Sequence, residues 1–145
     1  MKKEGSAISL PLDDVTIVAI EQAVAAPLAT RNLADLGARV IKVERIDEGD
    51  FSRGYDHAVH GTGAHFVWLN RGKESIAIDL KAPQGRAVVR RLVERADVFV
   101  QNLGPGVAER LGFGAQELRS EHPELIVACI SGFGSGGPME HRYVR

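Results

Sequence analysis

Val15-Thr16-Ile17-Val18-Ala19-Ile20, then Pro27-Leu28-Ala29-Thr30-Arg31-Asn32-Leu33-Ala34-Asp35-Leu36 closed by Gly37, then Arg39-Val40-Ile41-Lys42-Val43-Glu44: this run decides the fold. Its first and last segments are β-branched and apolar, which suits strands covered on both faces. The middle segment has proline near its first turn and glycine just past its end, the usual punctuation of a helix. Strand, helix and strand within about thirty residues predict a right-handed crossover joining a parallel pair.

Outward from that unit the alternation continues. Ser75-Ile76-Ala77-Ile78-Asp79-Leu80 reads as a strand, and residues 83–96 as a helix with Val88, Val89, Leu92 and Val93 on one face. Asp97-Val98-Phe99-Val100-Gln101 is the next strand, residues 107–111 and 114–121 are short helices, and residues 125–130 form a last, buried strand. Residues 47–69 show no clean period and are rich in glycine, so they read as an excursion over the sheet. Five strands alternating with helices give an α/β fold, a Rossmann-like doubly wound and mainly parallel sheet.

Composition narrows the function classes. At 145 residues, 44% hydrophobic and 26% charged, the chain has the make-up of a globular domain with a core. A net charge of -1 gives no electrostatic case for nucleic acid or an anionic membrane. Met1-Lys2-Lys3-Glu4-Gly5-Ser6 has no following apolar run, and no segment approaches the roughly 20 apolar residues of a membrane span, so a cytoplasmic protein is expected. The single cysteine, Cys129, lies in the last apolar strand and reads as an inert core thiol. His57, His60 and His65 lack the cysteines or paired carboxylates of a metal centre and read as solvated loop residues.

Candidate sites fall at strand ends. Glu21-Gln22-Ala23-Val24-Ala25-Ala26-Pro27 lacks the G-x-G-x-x-G spacing of a dinucleotide site, but its small residues allow close backbone approach. Lys42-Val43-Glu44-Arg45 places an acid and a cation at a strand tip, suited to a ribose and a phosphate or else to a solvent-facing ion pair. Asn70-Arg71-Gly72-Lys73 sets two cations around a glycine, as an anion site or an exposed turn would. Asn102-Leu103-Gly104-Pro105-Gly106 leads into a short helix whose amides could meet a phosphate, or is a simple strand-to-helix turn. Ser131-Gly132-Phe133-Gly134-Ser135-Gly136-Gly137 is a glycine-rich loop just after the last strand.

Taken in order, these segments resemble one family. Residues 12–45, Asn70-Arg71-Gly72-Lys73-Glu74-Ser75-Ile76-Ala77-Ile78-Asp79-Leu80-Lys81, residues 96–106, Arg110-Leu111-Gly112 and Ser131-Gly132-Phe133-Gly134 look like the amino-terminal part of a class III CoA-transferase of the CaiB/BaiF type. The resemblance implies that coenzyme A or acyl-CoA is a substrate rather than a tightly bound cofactor, and that a small carboxylic acid is the second substrate. It implies that Val24 and Ala25 flank the CoA and that Arg45 contacts its adenosine phosphate. Asn70, Arg71, Gly72, Lys73, Asn102, Leu103, Gly104 and Arg110 would line its path, with Ser131, Gly132, Phe133 and Gly134 closing the site.

The resemblance also implies what is missing. In the family an aspartate downstream of the glycine loop attacks the acyl-CoA, passing through an anhydride and an aspartyl thioester. That nucleophile would lie beyond Arg145, so no catalytic residue is assigned here, and residues 1–145 read as the CoA-binding part of a large domain without its second domain. Tyr143-Val144-Arg145 also departs from the family's continuation after the loop. Full-length members are interlocked homodimers, so a homodimer is expected. Val24 and Ser131 depart from the formyl-CoA transferase pattern, and residues 21–27 and 65–70 are similar to dicarboxylate-type enzymes of the itaconate and mesaconate kind. The alternatives are a relative of the alpha-methylacyl-CoA racemases and a non-catalytic binding or assembly module.

Overall fold

A computed structural model describes residues 9–142; the expectations placed on Met1–Ser6 and on Tyr143–Arg145 lie outside them. Five strands, β1 (Thr16–Ile20), β2 (Arg39–Glu44), β3 (Glu74–Ala77), β4 (Val98–Gln101) and β5 (Ile126–Cys129), form one sheet in the order β3-β2-β1-β4-β5. Every neighbouring pair is parallel, with Ile17 opposite both Val40 and Val98 at its centre. Five helices join them: α1 (Ala25–Asp35), α2 (Ala64–Asn70), α3 (Pro83–Val93), α4 (Val107–Arg110) and α5 (Ala115–Glu121). The α/β doubly wound fold read from the sequence is the fold observed.

The two faces follow from the period-2 alternation of β1. Val18 and Ile20 point to one face and pack with Val43, Phe99, Val89 and Val93 of α3, Phe113 in the turn before α5, and Leu118 of α5. Ile17 and Ala19 point to the other, with Val40, Val100 and Ala26 of α1. Phe99 and Phe113 stack at 6.0 Å between ring centroids, at the middle of the first face. The helix α1 stops where Gly37 takes φ +106°, a left-handed position that a side chain would strain.

Three expectations change. β5 was expected to be buried, yet Ile126 is 63% exposed and Cys129 is exposed, because this outermost strand has a neighbour on one edge only. Val88 is exposed while Val89 and Val93 are buried, since α3 turns a narrower stripe to the sheet than its four apolar residues suggested. β3 ends at Ala77, and residues 78–80 leave the ladder after Ile78 donates its N–H to the Glu44 carbonyl at 2.9 Å. The excursion at 47–69 holds a single 3-10 turn, Phe51–Gly54, and α2, which packs beside α1. Among the described residues no helix is long and apolar enough to cross a membrane, and no cluster of His, Cys, Asp and Glu suits a metal ion.

Candidate functional site

The chain runs outward from β1 to β2 and β3 on one side and to β4 and β5 on the other, so the direction of winding reverses between β1 and β4. Ligand crevices form outside the carboxyl ends of strands at such a reversal. One is present here, about 430 Å³ in volume. Ile20 of β1, Val43 of β2, Ile78 after β3, Leu103 after β4, Val107 of α4 and Leu111 at its end make an apolar lining. Arg45, Asp47, Asp79 and Lys81 bring charge to the same crevice from the ends of β2 and β3.

Arg45 is the candidate residue best placed in it. Its side chain is 56% exposed, and its Nη2 meets Glu48 Oε2 at 3.3 Å while its Nε donates to the Gly49 carbonyl at 3.2 Å. Such surface pairs are worth about 0–1 kcal/mol, so a phosphate can displace them. Glu44, the neighbouring acid, is neither a free ribose ligand nor solvent-facing. Its side chain is buried and accepts from Arg53 Nη2 at 2.8 Å, Ser75 Oγ at 2.6 Å and the Asp50 N–H at 2.9 Å. Burial pushes its carboxyl up, but the Arg53 and Ser75 hydrogen bonds and the Asp50 N–H outweigh it and hold the pKa at about 2.

Lys73 behaves differently from the reading of an open anion site. It precedes β3 rather than following it, and its side chain is 1% exposed. Its Nζ donates to Glu21 Oε1 at 2.6 Å, to the Pro27 carbonyl at 2.9 Å and to Asn70 Oδ1 at 3.0 Å. Burial pushes the ammonium down while the Glu21 carboxylate opposes it. Lys42, from the apolar run of β2, joins the same interior: its Nζ donates to Asp50 Oδ2 at 2.8 Å and to the Glu21 carbonyl at 3.3 Å. Two buried ammonium groups thus face two buried carboxylates, and removing one partner from such a group costs about 3–5 kcal/mol. Nothing in the sequence signalled this network except a lysine inside an otherwise apolar strand.

The remaining candidates fall in three places. Asn102 stands beside the crevice and bonds the Gln22 backbone twice, Leu103 is part of the wall, and the Gly104 carbonyl accepts the Val107 N–H at 3.1 Å in the turn before α4. Val24 and Ala25 are exposed at the start of α1, just beyond that turn of backbone. Asn70, Arg71, Gly72 and Lys73 sit together before β3; Arg71 pairs with Asp35 of α1 at 3.0 Å, and Gly72 has φ +77°. Arg110, at the end of α4, is exposed with its guanidinium over Gly106, and it does not line the crevice. Ser131, Gly132, Phe133 and Gly134 are exposed beyond β5 and do not line the crevice, with Gly134 N–H donating to Ser131 Oγ at 3.0 Å. Of the three cations expected to converge from strand-end positions, Arg45 lines the crevice, Lys73 is enclosed with Glu21, and Arg110 is not among the lining residues. Of the histidines, His57 Nδ1 lies 3.2 Å from the Gly61 carbonyl and His65 stacks edge-on against Tyr55.

Sequence reasoning missed Ile46, Asp79 and Lys81. The last two were assigned to strand and its flank, although the Asp-Leu-Lys-Ala-Pro run before α3 is a turn signal.

A parallel doubly wound sheet with an apolar crevice at its winding reversal defines the class: a doubly wound α/β domain with a crevice outside its strand ends. Comparison with known proteins makes this specific. The family profile for CoA-transferase family III matches residues 12–143, and the chain belongs to that family. It is 42% identical to the acetyl-CoA:oxalate CoA-transferase of Acetobacter aceti, covering 90% of this chain and 34% of that protein. It is 41% identical to the succinyl-CoA:glutarate CoA-transferase of Mus musculus, covering 91% and 30%. Among solved structures, a CAIB/BAIF family protein from Brucella suis superposes with a TM-score of 0.87 at 39% identity, over 93% of this chain and 37% of that one. The chain thus spans about a third of the length of the relatives it matches.

Proposed function

We propose that this chain is the CoA-binding part of the large domain of a CoA-transferase, and that in the complete enzyme it serves transfer of CoA between an acyl-CoA and a small carboxylic acid. The observation that carries the reading is the apolar crevice at the β1/β4 reversal with Arg45 exposed at its edge. The apolar walls suit the adenine of CoA, and a loosely paired guanidinium suits its 3′-phosphate. At about 430 Å³ the crevice takes one end of CoA rather than the whole molecule. The rest of the ligand then runs past Asn102, Leu103 and Gly104 toward Val24 and Ala25. Arg110 and Ser131–Gly134 join the site only through further chain or a partner copy, which is the role we assign to a second domain and to a homodimer.

The relatives named above transfer CoA to oxalate or glutarate, which supports transfer over racemisation and a dicarboxylate-type acceptor. The nucleophilic aspartate is assigned to sequence outside these residues. Calorimetry of the chain with CoA and with dephospho-CoA at low salt tests the binding half, since screening is then weak. CoA binds more tightly than dephospho-CoA, and Arg45→Ala lowers CoA affinity by roughly ten- to a hundredfold, the loss of one charge-assisted contact. Equal affinities unaffected by Arg45→Ala overturn the assignment. A hydroxylamine-trappable acyl-enzyme formed by the chain alone overturns the placement of the nucleophile elsewhere.

A further inference from the structure

The turn between β1 and α1 contains a backbone conformation that its sequence does not favour. Ala23 has φ +64°, in the left-handed region where a residue with a Cβ is held under strain. Among the described residues the other non-glycine residue of this kind, His60, sits at an exposed loop tip bridged by Val59 and Thr62. Ala23 instead lies between the buried end of β1 and the start of α1, next to Gln22 in the crevice wall.

Side chains from two other parts of the chain hold it. Asn102, after β4, accepts the Gln22 N–H on Oδ1 at 2.9 Å and donates Nδ2 to the Gln22 carbonyl at 2.8 Å. Asp50, at the head of the excursion, accepts the Ala23 N–H on Oδ1 at 3.1 Å. Asp50 is itself immobilised. The same Oδ1 accepts from the Ser52 N–H at 2.9 Å and Ser52 Oγ at 2.8 Å, and Oδ2 takes the Lys42 ammonium at 2.8 Å. Its side chain is 0% exposed, and its charge is balanced by Lys42, so it holds the turn without adding an unpaired negative charge beside a phosphate-bearing ligand.

The geometry points to Asp50 as a positioning residue for the CoA site: its hydrogen bond to the Ala23 N–H locks the turn at residues 22–24 in the arrangement that presents Val24 and Ala25 to the ligand. This rests on the CoA reading of the crevice. If φ of residue 23 relaxed to its ordinary negative range, the chain direction after it would change, and the start of α1 with it. Asp50 touches no ligand in this scheme; it acts through Ala23.

The test compares Asp50→Ala with the double variant Asp50→Ala/Ala23→Gly, because glycine adopts positive φ at little cost and does not need the clamp. CoA affinity by calorimetry falls about tenfold in Asp50→Ala and returns to within about threefold of the unaltered chain in the double variant. The thermal midpoint stays low in both, since Lys42 has lost the nearer of its two carboxylates, Asp50, in each and keeps only Glu21 at 3.6 Å. A merely structural Asp50 gives no such separation: a double variant that binds CoA as weakly as Asp50→Ala overturns the inference. Should Asp50→Ala fail to fold, the same comparison is made with Lys42→Met added to both variants, which removes the buried ammonium that Asp50 no longer meets. A ligand-free arm follows exchange of the Ala23 amide proton, protected in the unaltered chain and fast in Asp50→Ala; equal protection overturns the clamp. Failure of the unaltered chain to bind CoA, with the amide result as expected, removes the CoA reading and leaves the clamp standing as a device of the turn alone.

Discussion

Glu44 shows how a residue's chemistry is decided by what surrounds its carboxylate. Its ordinary pKa of 4.5 is lowered to about 2 in the folded chain, so the native state favours the ionised form. A depressed acid contributes stability that is present above its unfolded pKa and is lost as pH falls through the folded one. Burial pushes the Asp50 carboxyl up, but the Lys42 ammonium and the Ser52 and Ala23 N–H groups outweigh it, so Asp50 is lowered as well. Acid unfolding is therefore expected to begin below about pH 4.5 and to deepen toward pH 2, with Glu44 contributing on the order of 3 kcal/mol across that window. Denaturant titrations at a series of pH values check this. Glu44→Gln lowers stability at pH 7 and flattens the acid limb; a variant whose pH dependence matches the unaltered chain contradicts the account.

At the scale of elements, α3 sits so close to the turn before it that its third residue has no room for a side chain. A Cβ on Gly85 would lie 2.0 Å from the Asp79 carbonyl oxygen and 2.9 Å from Ile78 Cγ2. Alanine gains about 1 kcal/mol of helix propensity over glycine, whereas forced overpacking costs about 1–3 kcal/mol and here the obstacle is backbone. The clash wins. Gly85→Ala is expected to lower the thermal midpoint by roughly 2–8 °C and, by pushing residues 78–81, to disturb the crevice wall. A melting curve at or above that of the unaltered chain would show that α3 slides without loss.

For the whole molecule the open question is what meets β5. It is an edge strand with Ile126 63% exposed, and in the excursion Phe51, Tyr55, Val67 and Trp68 are each more than two-fifths exposed. Unpaired strand edges and apolar patches favour association. The isolated chain is expected to self-associate, with an apparent mass in sedimentation that rises with concentration; a single monomeric species at high concentration with cooperative unfolding counts against it. Ile126→Lys, which places a charge on that edge, should shift the distribution toward monomer.

The sequence by itself determined the winding of the chain, because strand and helix periods, the proline of α1 and Gly37 are local signals, and a parallel β-α-β unit leaves one handedness open. The order of residues 12–143 was also enough to place the chain in its family. It determined that Arg45 stands at a strand end, which is a property of position along β2. Only the tertiary structure decided which charges remain available. Lys73 and Arg45 look alike as cations beside small residues, yet one is enclosed under α1 with Glu21 and the other stays at the crevice. The same holds for Cys129, apolar by its neighbours in sequence and exposed by its place at the sheet edge. Burial and ion pairing depend on residues far apart in the chain, such as Asp50 and Ala23 or Glu21 and Lys73, whose meeting is set by how the layers pack and not by any local pattern.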